Sequence, residues 1–212
     1  MRKTVYSLIF FLLILITSCS PGTPQPTPQV VSVYSSSSAQ PWLADIYTCA
    51  GSFIVIVRVD DPDSADIVLR IGEPEFLLSF AYQIDEEEIL IVTHRQSPVQ
   101  NMTLENVQTL FAGLGDPSVQ VWVYASVEDV FEVFDRSVMN GRSVSSSSNI
   151  ALTPGHMSVV MNRDSDAVGI LPRRWKMGDM REVYSVAKVP VLAITQSEPV
   201  GEIGQLIGCL QK

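Results

Sequence analysis

Apolar and polar residues along this chain follow two alternating patterns, which predict strands and helices in turn. Short aliphatic runs bounded by Gly, Pro, Asp or Ser are typical of buried strands, whereas apolar residues spaced three and four apart indicate helices that bury one face. The predicted strands cover 30–34, 53–59, 67–71, 84–93, 120–124, 167–171 and 183–194. The predicted helices cover 41–48, a segment after Thr103, 126–138, a segment after Thr153 and a closing segment near 200–210. This alternation predicts an α/β fold with mostly parallel strands.

The helix after strand 120–124 has the clearest sequence signal. Ser126 and Asp129, three residues apart, form a capping-box pattern, which predicts Ser126 as the N-cap of this helix. The apolar residues that follow fall on one helical face: Val127, Val130, Phe131, Phe134 and Val138.

The first twenty residues have a different character. Arg2 and Lys3 precede the apolar run 5–16, which is too short to favour spanning a bilayer as a helix of the mature protein. Small residues then stand just before Cys19, and this arrangement resembles the cleavage box of bacterial lipoproteins. The resemblance implies a signal peptide over 1–18, lipidation of Cys19, and anchoring of the protein to a membrane outside the cytoplasm. The alternatives are a plain secretory signal or an N-terminal anchor.

A proline-rich segment follows the cysteine. Residues 21–29 (PGTPQPTPQ) hold four prolines and no apolar side chain to bury, apart from the prolines themselves. Such a composition favours an extended, semi-rigid tether. We therefore assign residues 19–29 to the lipidated cysteine and its tether, and residues 30–212 to the folded domain.

Charge limits the partners of this chain. Its formal net charge is −9, and removal of residues 1–18 takes away Arg2 and Lys3 and no acid, which leaves −11. Such an acidic protein is not expected to bind nucleic acid or an anionic membrane surface. Capture of an anion is also harder, unless local dipoles outweigh the overall field.

Two cysteines remain besides Cys19. Because exported chains usually oxidise pairs of cysteines, we predict a disulfide between Cys49 and Cys209, which would tie the first helix of the folded region to the last. The alternative is two free, buried thiols. Two cysteines and two histidines offer little for a metal, and no metal site is expected.

Four stretches together resemble the type II extracytoplasmic solute-binding proteins, in particular the branch around the phosphate-binding subunit of phosphate ABC transporters. They are VSVYSSSSAQPWLADI, ILIVTHRQSPVQNMTLENVQTLFAGL, VWVYASVEDVFEVF and AVGILPRRW. In the family, the first corresponds to a strand that runs into a serine-rich turn and a helix, and the second to a crossing strand followed by a helix. Their order and spacing extend over the whole folded region.

The resemblance implies two α/β lobes joined by two crossing segments, with a ligand bound between the lobes. Lobe one would comprise residues 30–94 and 187–212, and lobe two residues 98–183, with hinges near 95–97 and 186–187. Ligand binding closes the lobes in this family, and a permease recognises the closed form. The resemblance thus implies a protein that captures phosphate or another small anionic or polar solute for an ABC importer. We expect it to be a monomer and to need no cofactor.

Five serines are the candidate ligand residues. Ser35, Ser36, Ser37 and Ser38 stand where a strand ends and a helix follows, the place where open α/β sheets bind ligands. Their hydroxyl groups would add donors to the N–H groups at the start of the helix. The alternative is that they serve only as cap and turn residues. Ser126 is the corresponding candidate in lobe two.

The second half of this site departs from the family pattern. Related proteins carry an arginine and a serine-glycine-threonine turn here, whereas this chain retains only Ser126. Glu128 and Asp129 occupy the start of the helix, and their charges would repel a bound phosphate. A second hypothesis is therefore a binding-fold lipoprotein that acts as a sensor or surface interaction module without solute transport.

Catalysis is the least supported class of function. The chain has no glycine-x-serine-x-glycine motif and no cluster of metal ligands, so we assign no catalytic residue and do not expect an enzyme.

Arg173, Arg174 and Lys176 form a local basic patch, which is a solvated edge of lobe two, a permease contact or a cleft contact.

Overall fold

The computed structural model describes residues 28–76 and 79–211. The predicted signal peptide, Cys19 and most of the predicted tether lie outside these residues. The first strand begins at Gln29, one residue before the expected start of the folded domain. Within the described ranges, no helix is both long enough and apolar enough to cross a membrane.

Across residues 28–76 and 79–211, eight strands form one mixed sheet in the order β2-β1-β3-β8-β4-β7-β5-β6. Seven of them were predicted from the aliphatic runs, and the short β6 was not. The strands are β1 Gln29–Ser35, β2 Ile54–Arg58, β3 Ile67–Ile71, β4 Phe80–His94, β5 Gln120–Val123, β6 Asn149–Ile150, β7 Ala167–Pro172 and β8 Met180–Thr195.

In the described part of the chain, five α-helices pack on this sheet. They are α1 Leu43–Ala50, α2 Leu104–Phe111, α3 Asp129–Phe134, α4 Pro154–Arg163 and α5 Gly201–Leu210. A 3-10 turn over Gln40–Trp42 leads into α1, and a π-helical turn over Asp135–Met139 continues α3. Thr103 and Thr153 accept hydrogen bonds from Asn106 N and His156 N, and thereby cap the two helices that were predicted to follow them.

The two longest strands join the two halves of the sheet. β4 and β8 are antiparallel to each other over nearly their whole length, β8 also pairs with β3, and β4 also pairs with β7. They are the crossing segments, and they separate lobe one (β1–β3, α1 and α5) from lobe two (β5–β7, α2, α3 and α4). The prediction of mostly parallel strands holds only inside each lobe, because the crossing strands traverse both lobes in opposite directions. The predicted residue boundaries and hinges of the lobes stay predictions.

The core runs without a break through both lobes. The buried apolar side chains form one cluster that includes Val31 and Ile71 in lobe one and Val123 and Phe134 in lobe two. Helix α3 packs on β7 and also contacts β3, β4 and β8, so it lies across the junction of the lobes. This placement brings the start of α3 close to the end of β3.

The disulfide between Cys49 in α1 and Cys209 in α5 is present, with a Cα–Cα distance of 5.9 Å. It joins two helices that also pack against each other. The prediction of this pairing is confirmed, and the alternative of two free thiols is wrong.

The predicted start of α3 was wrong. The helix begins at Asp129 with Glu128 as its N-cap residue, and Ser126 lies exposed in the preceding turn. Val127 is 82% exposed and does not belong to the buried face. The capping box does not form because the Asp129 side chain points into the protein and binds the opposite lobe, as described next.

Candidate functional site

The candidate site is built around residues 35–38, which we call the serine turn. Strands β1 and β3 are parallel neighbours, so the end of β1 and the end of β3 lie at the same edge of the sheet. Ser36 N donates to Leu69 O at 3.0 Å, which fixes the turn against β3. Ser38 is fully buried and Ser36 nearly so. The turn therefore presents its hydroxyl groups inward, toward the junction of the lobes.

The carboxylate of Asp129, from lobe two, occupies the space in front of these hydroxyl groups. Ser36 Oγ donates to Oδ2 at 2.7 Å, and Ser38 Oγ donates to Oδ1 at 2.5 Å. The backbone N–H of Ile71, the last residue of β3, donates to Oδ2 at 2.8 Å. Asp129 is only 4% exposed. Donors of the serine turn thus converge on an oxyanion, and that oxyanion belongs to the protein.

The remaining predicted residues have different surroundings. Ser37 Oγ donates to Glu128 Oε2 at 2.8 Å, also across the junction of the lobes. Ser35 Oγ donates to the neighbouring Ser36 carbonyl. The fold thus brings Ser36, Ser37 and Ser38 together at one point, while Ser35 makes only a local contact and Ser126 lies exposed. A ligand role for these five serines stays a prediction.

Two further contacts join the lobes beside the serine turn. Arg70 on β3 forms an ion pair with Glu132 on α3 at 2.5 Å, and its Nε donates to Gly72 O. Arg136 donates to the carbonyl of Glu73 at 2.8 Å. Both arginines bridge the loop after β3 and the segment that begins with α3.

A third contact comes from the predicted basic patch. The 3-10 turn Arg173–Trp175 reaches lobe one, where Trp175 Nε1 donates to Ser38 O at 2.9 Å. The Arg174 guanidinium lies 4.4 Å from the ring centre of Trp42 and pairs with Asp85. Arg174 therefore contacts lobe one, and the cleft and permease interpretations of the basic patch stay predictions. Burial alone would raise the pKa of Asp85, but hydrogen bonds from Trp42 and the Glu86 N–H and the charge of Arg174 lower it overall.

Negative charge is concentrated at the junction. Burial raises the pKa of the Tyr34 hydroxyl, and the charges of Glu128 and Asp129 raise it further. Burial and the same two carboxylates raise the pKa of Tyr124, whose hydroxyl donates to Ile170 O at 2.8 Å. A dianion placed here would meet two carboxylates at close range.

A separate groove of about 550 Å³ lies where β4, β8 and the turn after β7 meet. Its lining is almost entirely charged: Asp85, Glu86, Glu87, Glu88, Arg173, Arg174 and Lys188. Four of these charges are already paired with each other, because Arg173 binds Glu88 and Arg174 binds Asp85. Over residues 28–76 and 79–211, no group of three or more His, Cys, Asp or Glu side chains is placed to hold a metal ion.

Sequence reasoning identified the serine turn and the acidic start of α3 but missed that they bind each other. The sequence feature that could have indicated this contact is the acidic pair at the start of α3. The solute-binding proteins that the chain resembles carry an arginine and a glycine at this point. We expected these acids to repel an anion, whereas Asp129 itself accepts the hydrogen bonds of the serine turn.

No protein-family model and no curated protein matches the sequence. Solved structures do match the fold. A candidate phosphate ABC transporter substrate-binding protein from Clostridium perfringens, with bound phosphate, superposes with a TM-score of 0.76 at 14% identity, covering 86% of this chain and 93% of that one. An ABC-type phosphate transport receptor from Vibrio cholerae gives 0.63 at 14% identity over the same shares. The reduced regulatory domain of OxyR2 from Vibrio vulnificus gives 0.68 at 8% identity, covering 91% and 99%.

The chain has the two-lobed periplasmic-binding-protein-like fold. This fold occurs both in the phosphate-binding proteins and in the OxyR2 regulatory domain, so the likeness by itself does not distinguish a transport protein from a regulatory domain.

Proposed function

We propose that this chain is a lipid-anchored extracytoplasmic protein of the solute-binding fold that acts as a sensor or surface interaction module and does not capture free phosphate. The observation that carries the proposal is the position of Asp129, whose carboxylate already binds Ser36, Ser38 and the Ile71 N–H from the opposite lobe. The lobes are thereby held together without a solute.

A free anion would have to displace a carboxylate that is part of the same chain. Such a tethered group acts at an effective concentration of about millimolar or more. A displaced Asp129 would also leave a buried site and stay close to the incoming anion, and Glu128 would remain beside Ser37. Phosphate, which carries more than one negative charge near neutral pH, is therefore a poor competitor.

The location rests on the first residues of the sequence. A basic start, a short apolar run and a small-residue box before Cys19 support export and lipidation, and the proline-rich segment supports a spacer between membrane and domain. Substitution of Cys19 by Ala is expected to abolish incorporation of a labelled fatty acid into the protein. Incorporation of the label into the variant would contradict the lipid anchor.

A second candidate is solute capture for an ABC importer. It is favoured by the convergence of three donors on one oxyanion, and by the likeness to binding proteins whose names include phosphate. In this case Asp129 would leave the serine turn when a solute enters.

A thermal unfolding series separates the two candidates. The purified full-length protein is heated in phosphate, sulfate and chloride at matched ionic strength, with anions at about 1 mM. A micromolar ligand at this concentration would add roughly 4 kcal/mol to the free energy of unfolding, a shift of several degrees. We expect no phosphate-specific shift. A shift in phosphate that sulfate and chloride do not produce, and that Ser36→Ala abolishes, would establish the second candidate.

A further inference from the structure

The environment of Asp129 is that of a bound ligand rather than that of an ordinary acid at a helix start. Oδ1 accepts from Ser38 Oγ and from its neighbour's backbone, Val130 N, and Oδ2 accepts from Ser36 Oγ and Ile71 N. Each oxygen thus has two donors. Three of the four donors belong to the opposite lobe.

Neighbouring acids on the same segment differ from Asp129. Glu128 accepts one hydrogen bond, from Ser37, and is only partly buried, while Glu132 pairs with the Arg70 guanidinium. In the described part of the chain, the recorded contacts of the Asp129 carboxylate come from hydroxyl and backbone N–H groups, and none comes from Arg or Lys. A set of neutral donors suits one negative charge that is removed from water.

We infer that Ser36 Oγ, Ser38 Oγ and Ile71 N form a binding site for a small carboxylate with a single charge, and that Asp129 is its tethered ligand. Removal of the Asp129 carboxylate then leaves a vacant anion site between the lobes. The inference deepens the proposed function and rests on it only for the statement that wild-type protein needs no solute to stay closed.

The geometry of the donors defines the class of ligand. Two oxygens, each held by two donors, match a planar carboxylate such as formate or acetate. A tetrahedral phosphate would bring additional oxygens and a second charge next to Glu128, which lies on the Ser37 side of the same turn. The vacant site should therefore prefer formate to phosphate.

The test uses the full-length Asp129→Ala variant, from which only the carboxylate has been removed. We expect this variant to unfold at a lower temperature than wild type, and we expect sodium formate at about 100 mM to raise its midpoint above that in sodium chloride of equal ionic strength. The rise should be about 3–6 °C if free formate is tenfold above its dissociation constant. Wild type should respond equally to the two salts.

Two matched variants control for general salt effects. Asp129→Asn fills the same space with an amide, so formate should not shift its midpoint. Addition of Ser36→Ala and Ser38→Ala to Asp129→Ala removes the two hydroxyl donors and should abolish the formate response. An equal response of Asp129→Ala to formate and chloride would overturn the inference, as would an unchanged formate response after loss of both serines.

If Asp129→Ala does not fold in chloride, refolding provides a second measurement. Refolding from urea in formate should then recover a cooperative thermal transition that refolding in chloride does not, and absence of recovery in both salts would overturn the inference. These outcomes are independent of the phosphate test on wild type. Phosphate binding by wild type contradicts the proposed function, whereas formate insensitivity of Asp129→Ala contradicts the tethered ligand alone.

Discussion

Asp129 and Glu87 are both acidic and almost fully buried, yet their surroundings differ. Asp129 has four donors for its two oxygens. Glu87 is 3% exposed, its Oε1 accepts from Glu88 N, and its Oε2 has no recorded hydrogen-bond partner. Burial is the largest influence on Glu87 and raises its pKa, although nearby N–H groups and Arg174 oppose the effect. A buried carboxylate with an unpartnered oxygen costs stability when it is ionised.

Glu87→Gln is expected to stabilise the protein slightly at pH 7. The folded-state pKa of Glu87 lies above its unfolded value of about 4.3. The contribution of this group to stability is therefore complete below about pH 4.3, and it is lost as the pH rises through the folded-state pKa. Urea unfolding at pH 7 should show the gain, and the gain should vanish below about pH 4. Glu86→Gln, a change at the exposed neighbour, should leave the free energy of unfolding unchanged at both pH values. A stabilisation by Glu87→Gln that is independent of pH would contradict the explanation.

At the scale of elements, the short helices begin in different ways. Helix α2 begins after Thr103, whose hydroxyl accepts from Asn106 N at 3.3 Å, and α4 begins similarly after Thr153. Helix α3 begins after Glu128 without a side-chain cap, and its first residue binds the other lobe. The start of α3 is therefore fixed by contacts between lobes rather than by a local cap.

A pair of alanine substitutions tests this difference. Thr103→Ala should lower the free energy of unfolding by about 1 kcal/mol, because it removes the acceptor for a free N–H group at the start of α2. Ser126→Ala should have an effect below about 0.5 kcal/mol, since Ser126 is exposed and does not cap α3. Chemical denaturation of both variants measures the values. Comparable losses in the two variants would indicate that Ser126 caps a helix after all.

At the scale of the whole molecule, two kinds of constraint hold distant parts of the chain together. The Cys49–Cys209 disulfide spans 160 residues and lies wholly in lobe one. The contacts of Asp129, Arg70 and Arg174 join the two lobes. The first constraint acts mainly on the unfolded chain, whereas the second acts on the relative position of the lobes.

Reduction of the disulfide is expected to destabilise the fold without opening the junction of the lobes. A loop of this length corresponds to about 5 kcal/mol in the chain-entropy model, and measured losses are often smaller. The double variant Cys49→Ser, Cys209→Ser should therefore unfold at lower urea concentration. Its Trp175 fluorescence environment, which depends on contact with Ser38 across the junction, should be unchanged before unfolding. The double variant could instead show a changed native-state fluorescence spectrum that is lost when Trp175→Phe is added. That result would show that the disulfide also positions the lobes.

The sequence by itself determined the α/β class and most of the strands and helices, although not the short β6 or the start of α3. Aliphatic runs and threonine caps are local features, so 67–71 matched β3 at both ends and the helices after Thr103 and Thr153 began where predicted. The pairing of Cys49 with Cys209 also followed from the sequence, because a domain predicted to be exported is expected to oxidise its two cysteines.

Only the tertiary structure decided what the serine turn binds. Asp129 lies more than ninety positions from Ser36, and its local pattern with Ser126 favoured a capping box. Contact between the lobes provided Asp129 with two hydroxyl groups and a backbone N–H in a buried place, which outweighs one local hydrogen bond to an exposed turn. A preference that depends on donors from the serine turn and from the end of β3 cannot be predicted from the residue spacing within α3.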